Sequence, residues 1–303
     1  MNEKLPTLVE ALGYPAGTRV VLFTADEYGE CHAMNAAIFE MLAAGTLTSA
    51  SLGVAYPWAP EAAAFHKEHP ELDCGVHLVL TCQHKKFRWG PLSGAQGLKD
   101  PAGYMWPSNE LVWKNATAEE AYRECRAQVE RALALGLDPS HIDPHMGTVR
   151  KRVDWMRDVY GRVGREFALP LRMSWPLTAE EREARAFLAG EGVLMSDHMR
   201  QMVPGEAESH GHFRDLMISQ MRALPSGVTD CYVHPGLDGE ELRALVGRWQ
   251  NRVAEYRLFH QEPALRAAIK EAGIIVTSWR PIRELARKGV RVRPEEREWK
   301  SWR

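Results

Sequence analysis

Val20–Phe23 is a run of four large apolar residues, followed by Thr24 and Ala25, the adjacent carboxylates Asp26 and Glu27, and Gly29. A short apolar run bounded by turn residues predicts a buried strand. From Asn35 to Ala44 the apolar residues Ala36, Ala37, Ile38, Met41 and Leu42 recur at helical spacing, and Gly45 stands where a C-cap belongs. A second short strand follows over Thr48–Val54, then an alanine-rich helix over Pro57–His69, then a third strand over Leu72–Leu80 with His77 inside it. Strand and helix alternating at this pace predict a parallel sheet with helical crossovers.

The pattern stops between Thr81 and Asn115, where Gly90-Pro91, Gly94, Gly97, Pro101, Gly103 and Pro107 punctuate a long irregular excursion containing Trp89, Tyr104, Trp106 and Trp113. Loops of that length within a compact fold usually serve as lids or binding loops. Thr117 with Glu120 three residues later forms a capping box for a long helix running to Gly136. His141-Ile142-Asp143 predicts a short strand, Val153–Ala168 a helix, Leu169–Met173 and Gly192–Ser196 brief strands, His212–Leu224 a helix and Gly227–His234 a strand. Met199–His210 carries only a weak signal. Glu240–Ala272 predicts one long helix or two, broken at Pro263; Ile274–Ser278 is the last strand, and a helix begins at Pro281.

Seven to eight strand–helix repeats without a linker predict an α/β fold: a single distorted (β/α) barrel of parallel strands over 1–303, with its active site at the C-terminal strand ends. The 81–115 segment is an insertion loop and 290–303 a charged tail. No Gly-x-Gly-x-x-Gly follows the first strand, so a dinucleotide site lacks its usual support.

The chain of 303 residues is 45% hydrophobic and 26% charged, ample for a buried core. Thirty-eight Lys and Arg against forty Asp and Glu leave a net charge of -2, which favours a small, neutral substrate over nucleic acid or an anionic membrane as partner. Cys31, Cys74, Cys82, Cys125 and Cys231 form no Cys-x-x-Cys pair, and the expectation is reduced thiols in the cytoplasm. Met1–Gly17 shows no apolar core of a signal peptide, and no later run reaches the roughly 18 apolar residues of a membrane helix. No heptad or exposed apolar stripe marks an oligomer interface; a homodimer is expected only on general frequency.

Four predicted strand ends carry polar groups: Asp26-Glu27, His77, His141-Ile142-Asp143-Pro144-His145, and His234-Pro235-Gly236. In a parallel barrel these ends share one face. Carboxylate and imidazole together supply the ligands of a catalytic divalent ion that keeps positions open for water and substrate. Taken singly, each has a plainer explanation. The paired acids fit a surface turn, His77 fits an inward histidine bonded to backbone, and His234 fits a turn. Alternate residues of an extended segment share a face, so His141, Asp143 and His145 can converge, and Pro144 holds Asp143 extended.

The ordered set Ala25-Asp26-Glu27-Tyr28-Gly29, Asn35, Gly45-Thr46-Leu47-Thr48-Ser49, Gly75-Val76-His77-Leu78-Val79-Leu80-Thr81, His141–His145 and Tyr232-Val233-His234-Pro235-Gly236 resembles the YdjC/ChbG-like carbohydrate deacetylases, relatives of the NodB-type polysaccharide deacetylases. The resemblance implies a distorted (β/α) barrel and one divalent metal ion, Mg or Zn foremost, with Mn, Co or Ni as alternatives. It implies Glu27, His77 and His145 as metal ligands, Asp26 as catalytic base and His234 as general acid. Beside them, Asp143 and His141 would orient the ligands from behind, and Trp58, Trp89 and Trp106 suit stacking against a sugar. Two positions depart from the pattern. Glu27 stands where the family has Asp, and its carboxylate reaches about 1.5 Å further from the backbone. Gly147 stands where relatives often carry another histidine.

The expected activity is metal-dependent hydrolysis of an N-acetyl group from an N-acetylated sugar or small oligosaccharide. An acetamide needs an activated water, a polarised carbonyl and a proton donor, and this residue set offers each. Two alternatives stay open: a catalytically impaired sugar-binding protein on the same fold, and a metal-dependent hydrolase of a non-sugar amide.

Overall fold

The computed structural model describes residues 5–174, 178–204 and 209–294. The 290–303 tail therefore lies outside the described residues from 295 onward, as does part of the weak 199–210 segment.

The apolar run forms β1 (Arg19–Tyr28), buried at every position after its first. It lies at the centre of a parallel sheet with β2 (Ser49–Leu52), β3 (Cys74–Leu78), β4 (Ile142–Pro144), β5 (His198–Gln201) and β6 (Gly227–Val233), in the order β4-β3-β2-β1-β6-β5. The ends of this sheet meet through single residues. Leu171 bridges Ile142 on one side and Met195 on the other, with Leu171 N–H donating to Leu194 O at 2.9 Å and Ser196 N–H to Leu171 O at 3.1 Å. The segment through Met195 then continues into β5 beside β6. The result is a distorted barrel, thinly bonded where it closes.

The predicted strands at Leu169–Met173 and Gly192–Ser196 thus shrink to single bridges. Pro170 has no N–H to extend the ladder and contributes only its carbonyl, which accepts from Ile142 N–H at 3.1 Å. β7 (Ile275–Val276) pairs Val20 and Val21 below the point where β2 joins β1 at Thr24, so it braces the bottom of β1 rather than completing the ring.

Helices fill the outside. After a short Leu8–Ala11 helix, the His32–Ala43 helix starts three residues before the predicted Asn35. The Ala118–Ala134 helix carries the expected capping box, with Thr117 and Glu120 each bonding the other's backbone. The irregular excursion is less irregular than its composition predicts: a 3-10 turn spans Gln96–Leu98, and a helix, Asn109–Asn115, is capped by Ser108. The predicted Glu240–Ala272 helix is three helices, Glu240–Leu245, Trp249–Tyr256 and Pro263–Glu271, broken at Pro263 as expected and also around Gly247. All five cysteines are free and buried, and no helix among the described residues is long and apolar enough to cross a membrane.

Candidate metal centre and catalytic cavity

Parallel strands deliver their C-terminal ends to one rim, and here that rim surrounds a cavity of about 450 Å3 lined by Asp26, Glu27, His77, His145, Arg172 and His234 among others. The register brings them level. Ala25 pairs with Val233, so Asp26 and His234 leave neighbouring strands at the same height; His77 pairs with Asp143. Asn35 secures the turn after β1, accepting from Gly29 N–H at 2.7 Å while its amide donates to Trp58 O and Glu61.

His77 Nε2 lies 3.2 Å from His145 Nδ1, and that nitrogen lies 3.9 Å from Glu27 Oε1. Metal bonds of about 2.0–2.2 Å place two ligand atoms of one ion roughly 3–4 Å apart, so the His77–His145 and His145–Glu27 pairs each have the spacing of ligands to one cation, while Glu27 and His77 do not close the set within 4.8 Å. The far side of each imidazole is occupied. His77 Nδ1 is 2.9 Å from Asp143 Oδ2 and donates to it, leaving the Nε2 lone pair toward the cavity. His145 Nε2 is 2.9 Å from Gln83 Oε1, which likewise frees Nδ1, with the Tyr56 hydroxyl 3.2 Å away on that side. Burial, reinforced by His77, pushes the His145 pKa down to about 3, so it is a neutral imidazole. Burial opposes ionisation of Glu27, but Arg252, bonded to Oε2 at 2.5 Å, leads the histidines in bringing its pKa down to about 2. The neutral His145 and the ionised Glu27 suit a divalent ion as they stand; at His77 burial is outweighed by Asp143, which raises its pKa above the ordinary value, so a cation there would displace a proton.

Among the described residues, the one set of three whose ligand atoms all lie within 4.8 Å of one another is Asp26, His77 and Asp143. A guanidinium already serves its carboxylates. Arg172 Nη1 donates to Asp26 at 2.7 Å and to Asp143 at 2.5 Å, and its Nε to Asp230. Asp143 further accepts from the Ser51 hydroxyl. With its charge compensated by Arg172 and its oxygens engaged, Asp143 supports His77 instead of offering a free donor.

The extra length of Glu27 is taken up by the main chain. Glu27 has φ 61°, in the left-handed region, and the β1–β2 register shifts by one residue between Ala25 and Tyr28. Such a bulge re-aims a side chain at the end of a strand.

Asp26 differs from Glu27 in both charge and contacts. Burial raises its pKa above the ordinary carboxylate value against the pull of Arg172, and Oδ1 is buried with no hydrogen-bond partner. His234 is fixed by its backbone: its N–H donates to Glu255 Oε2 at 2.5 Å, the ring Nδ1 lies 3.8 Å from that oxygen, and Nδ1 has no hydrogen-bond partner.

Other predicted residues sit away from the cavity lining. His141 stacks on Trp279 at 4.7 Å, with Nε2 4.0 Å from Asp143 Oδ1; Gly75 is required beside it, because a Cβ there would stand 2.3 Å from the ring. None of Trp58, Trp89 and Trp106 lines the cavity. Trp89 is buried edge-on against Tyr56 and donates to Thr81 O, Trp106 donates to Gly97 O, and Trp58 lies near the His32 ring. The insertion loop holds the Trp89 and Trp106 indoles, Trp58 stands before the Ala59–Glu68 helix, and the aromatic side chain in the lining is Tyr232. Sequence reasoning missed Arg172, Arg252, Gln83 and Tyr56. Only Arg172 left a signal, as a lone charge inside the apolar stretch Leu169–Met173.

A parallel α/β barrel with nitrogen and oxygen donors gathered at its strand ends is a scaffold built for chemistry on a bound small molecule. Residues 20–271 match the YdjC-like protein family, and the chain belongs to it. It is 33% identical over 290 residues to a carbohydrate deacetylase of Thermus thermophilus, covering 91% of this chain and 98% of the relative. Over 269 residues it is 29% identical to a carbohydrate deacetylase of Geobacillus stearothermophilus, covering 88% and 99%. Among solved structures, an Enterococcus faecalis V583 protein assigned to cellobiose-phosphate cleavage superposes with a TM-score of 0.74 at 25% identity, over 88% of this chain and 99% of that one.

Proposed function

We propose that this protein is a metal-dependent hydrolase that removes the acetyl group from an N-acetylated sugar, releasing acetate. The observation that carries the reading is the gathering of His77, His145, Glu27 and Asp26 in one cavity, with His77 Nε2 and Glu27 Oε1 at 3.2 and 3.9 Å from His145 Nδ1. Its relatives' name, carbohydrate deacetylase, supplies the substrate class.

Glu27, His77 and His145 would hold the divalent ion, with Zn or Mg foremost. When bound, the ion supplies a Lewis acid that polarises the acetyl carbonyl and acidifies water. Asp26 takes the proton of the attacking water at the oxygen that Arg172 leaves free. Arg172 prevents that carboxylate from rotating away and Asp143 prevents His77 from doing so. His234, on the neighbouring strand, delivers a proton to the departing amine nitrogen.

The test is acetate release from N-acetylglucosamine and diacetylchitobiose, with simple acetamides alongside, by protein stripped with a chelator and then reloaded with Zn, Mg, Mn, Co or Ni in turn. Activity only in reloaded protein, and only on sugars, is expected. Full activity in metal-free protein defeats the metal assignment; turnover of acetamides alone defeats the sugar.

A further inference from the structure

Tyr56 lies in the turn after β2 and is 2% exposed. Its ring is tightly held. Trp89 of the insertion loop packs edge-on against it, with ring centroids 4.7 Å apart. Gly53 comes so close that a Cβ there would stand 2.3 Å from the ring carbons Cδ2 and Cε2. Val79, Cys82 and Met105 complete the apolar cluster around the two aromatic rings. The tyrosine therefore excludes a side chain at position 53, and its own ring has no room to swing out to solvent.

The hydroxyl ends 3.2 Å from His145 Nδ1, and among the described residues that nitrogen is its one hydrogen-bond partner. Gln83 holds the far nitrogen of the same imidazole, so the phenol, protonated at neutral pH, donates to the Nδ1 lone pair. That is the lone pair a metal ion would take. It serves the hydroxyl or the ion, never both, and a buried hydroxyl that loses its acceptor needs another. The Glu27 oxygens are engaged: Oε2 accepts from Arg252, and Oε1 lies 3.9 Å from His145 Nδ1 on the side of the ion. Tyr56 is outside the cavity lining and His145 is in it, so the hydroxyl meets bound substrate only past that nitrogen. Ligand atoms of one ion stand roughly 3–4 Å apart. A hydroxyl 3.2 Å from one of them reaches the next by turning its O–H alone.

We propose that Tyr56 is a further catalytic residue: its hydroxyl gives up His145 Nδ1 and donates a hydrogen bond to the oxygen of the substrate's acetyl group, where negative charge gathers as water adds to the carbonyl carbon. The inference rests on the deacetylase reading for the identity of that group. No proton changes hands, since the side chain stays a phenol and exchanges one acceptor for another. The bond that it gives up opposes metal binding slightly, so the hydroxyl favours the reaction at some expense to metal affinity.

The test is Tyr56→Phe, which keeps the ring against Trp89 and Gly53 and should leave the urea unfolding midpoint in place. Zn affinity, read by competition with a chromogenic chelator, is expected to hold or to rise by up to about fivefold, because the competitor for His145 Nδ1 is gone. With N-acetylglucosamine, kcat should fall by roughly 10²–10³-fold while KM stays within about threefold. Acetohydroxamic acid, an acetyl group whose oxygens bind metal as an anion, should bind the Zn-loaded variant about tenfold more weakly by calorimetry. Zn affinity lowered by about tenfold or more would put the hydroxyl on the ion or on Glu27 and overturn the inference, as would a raised KM at unchanged kcat. If the wild type releases acetate from no sugar, the hydrolase reading falls and the acetohydroxamic acid titration decides alone: weaker binding by the variant keeps the hydroxyl as donor, and equal binding removes it.

Discussion

Arg172 Nη1 stands 2.7 Å from Asp26 Oδ2, joining a residue of β1 to one 146 positions later. The same guanidinium serves Asp143 and Asp230, so one cation compensates three buried carboxylates. Burial outweighs Arg172 at Asp230 and raises its pKa to about 6. Arg172→Met leaves buried carboxylates unpaired. It is expected to lower stability by about 3–5 kcal/mol in urea unfolding and to abolish acetate release. A wild-type unfolding midpoint in this variant would show that the network does not hold the rim together.

Asp26→Asn keeps shape and removes the basic oxygen. Elemental analysis should find metal bound as in wild type, since Asp26 is not one of the three ligands proposed, while acetate release falls by roughly 10²–10⁴-fold. Loss of metal together with activity would move Asp26 into the ligand set.

Glu27 is held in the left-handed region by the bulge at the end of β1. Asp tolerates that conformation better than most residues, so Glu27→Asp should fold, and its consequence is one of reach. A carboxylate about 1.5 Å shorter cannot serve Arg252 and the histidine side at once. Metal affinity by calorimetry is expected to fall at least about tenfold. Unchanged affinity would mean that the ion sits nearer the backbone of β1.

Gln83 belongs to the insertion loop, yet its carbonyl oxygen accepts from His145 Nε2 at 2.9 Å. Gln83→Leu should weaken metal binding by roughly 10–100-fold while the unfolding midpoint stays in place. The competition titration that reads it needs no substrate.

His66 reports on the core rather than the site. Burial pushes its pKa down to about 4, with Arg280 and His69 opposing protonation and Asp73 and Glu71 favouring it. Between the ordinary value of 6.5 and about 4 the unfolded chain takes up a proton that the folded chain refuses, so stability falls as pH falls through that window. The loss from this residue is about 3 kcal/mol in full. His66→Phe should flatten the pH dependence of urea unfolding over that range and leave the neutral-pH slope alone.

The alternation of strands and helices from β1 to β3, the buried first strand and the polar strand ends were legible in the chain, because hydrophobic periodicity is local and a parallel barrel must bring its strand ends to one rim, whereas the Ala179–Gly190 helix and β5 were not predicted. Family motifs added roles to Asp26, Glu27, His77, His145 and His234. Local pattern could not show that the barrel closes through single bridges at Leu171, since closure depends on partners far along the chain and on the N–H that Pro170 lacks. It could not assign Arg172 to three carboxylates or Gln83 to His145, because neither spacing nor composition records a contact made across the barrel. The same limit applied to the tryptophans: their abundance in the loop suggested a sugar platform, and packing kept Trp58, Trp89 and Trp106 out of the cavity lining, which holds Tyr232 instead. At Glu27 the sequence identified a longer acid, and only the folded backbone decided where its carboxylate goes, by bulging and turning left-handed so that one oxygen meets Arg252 and the other faces His145.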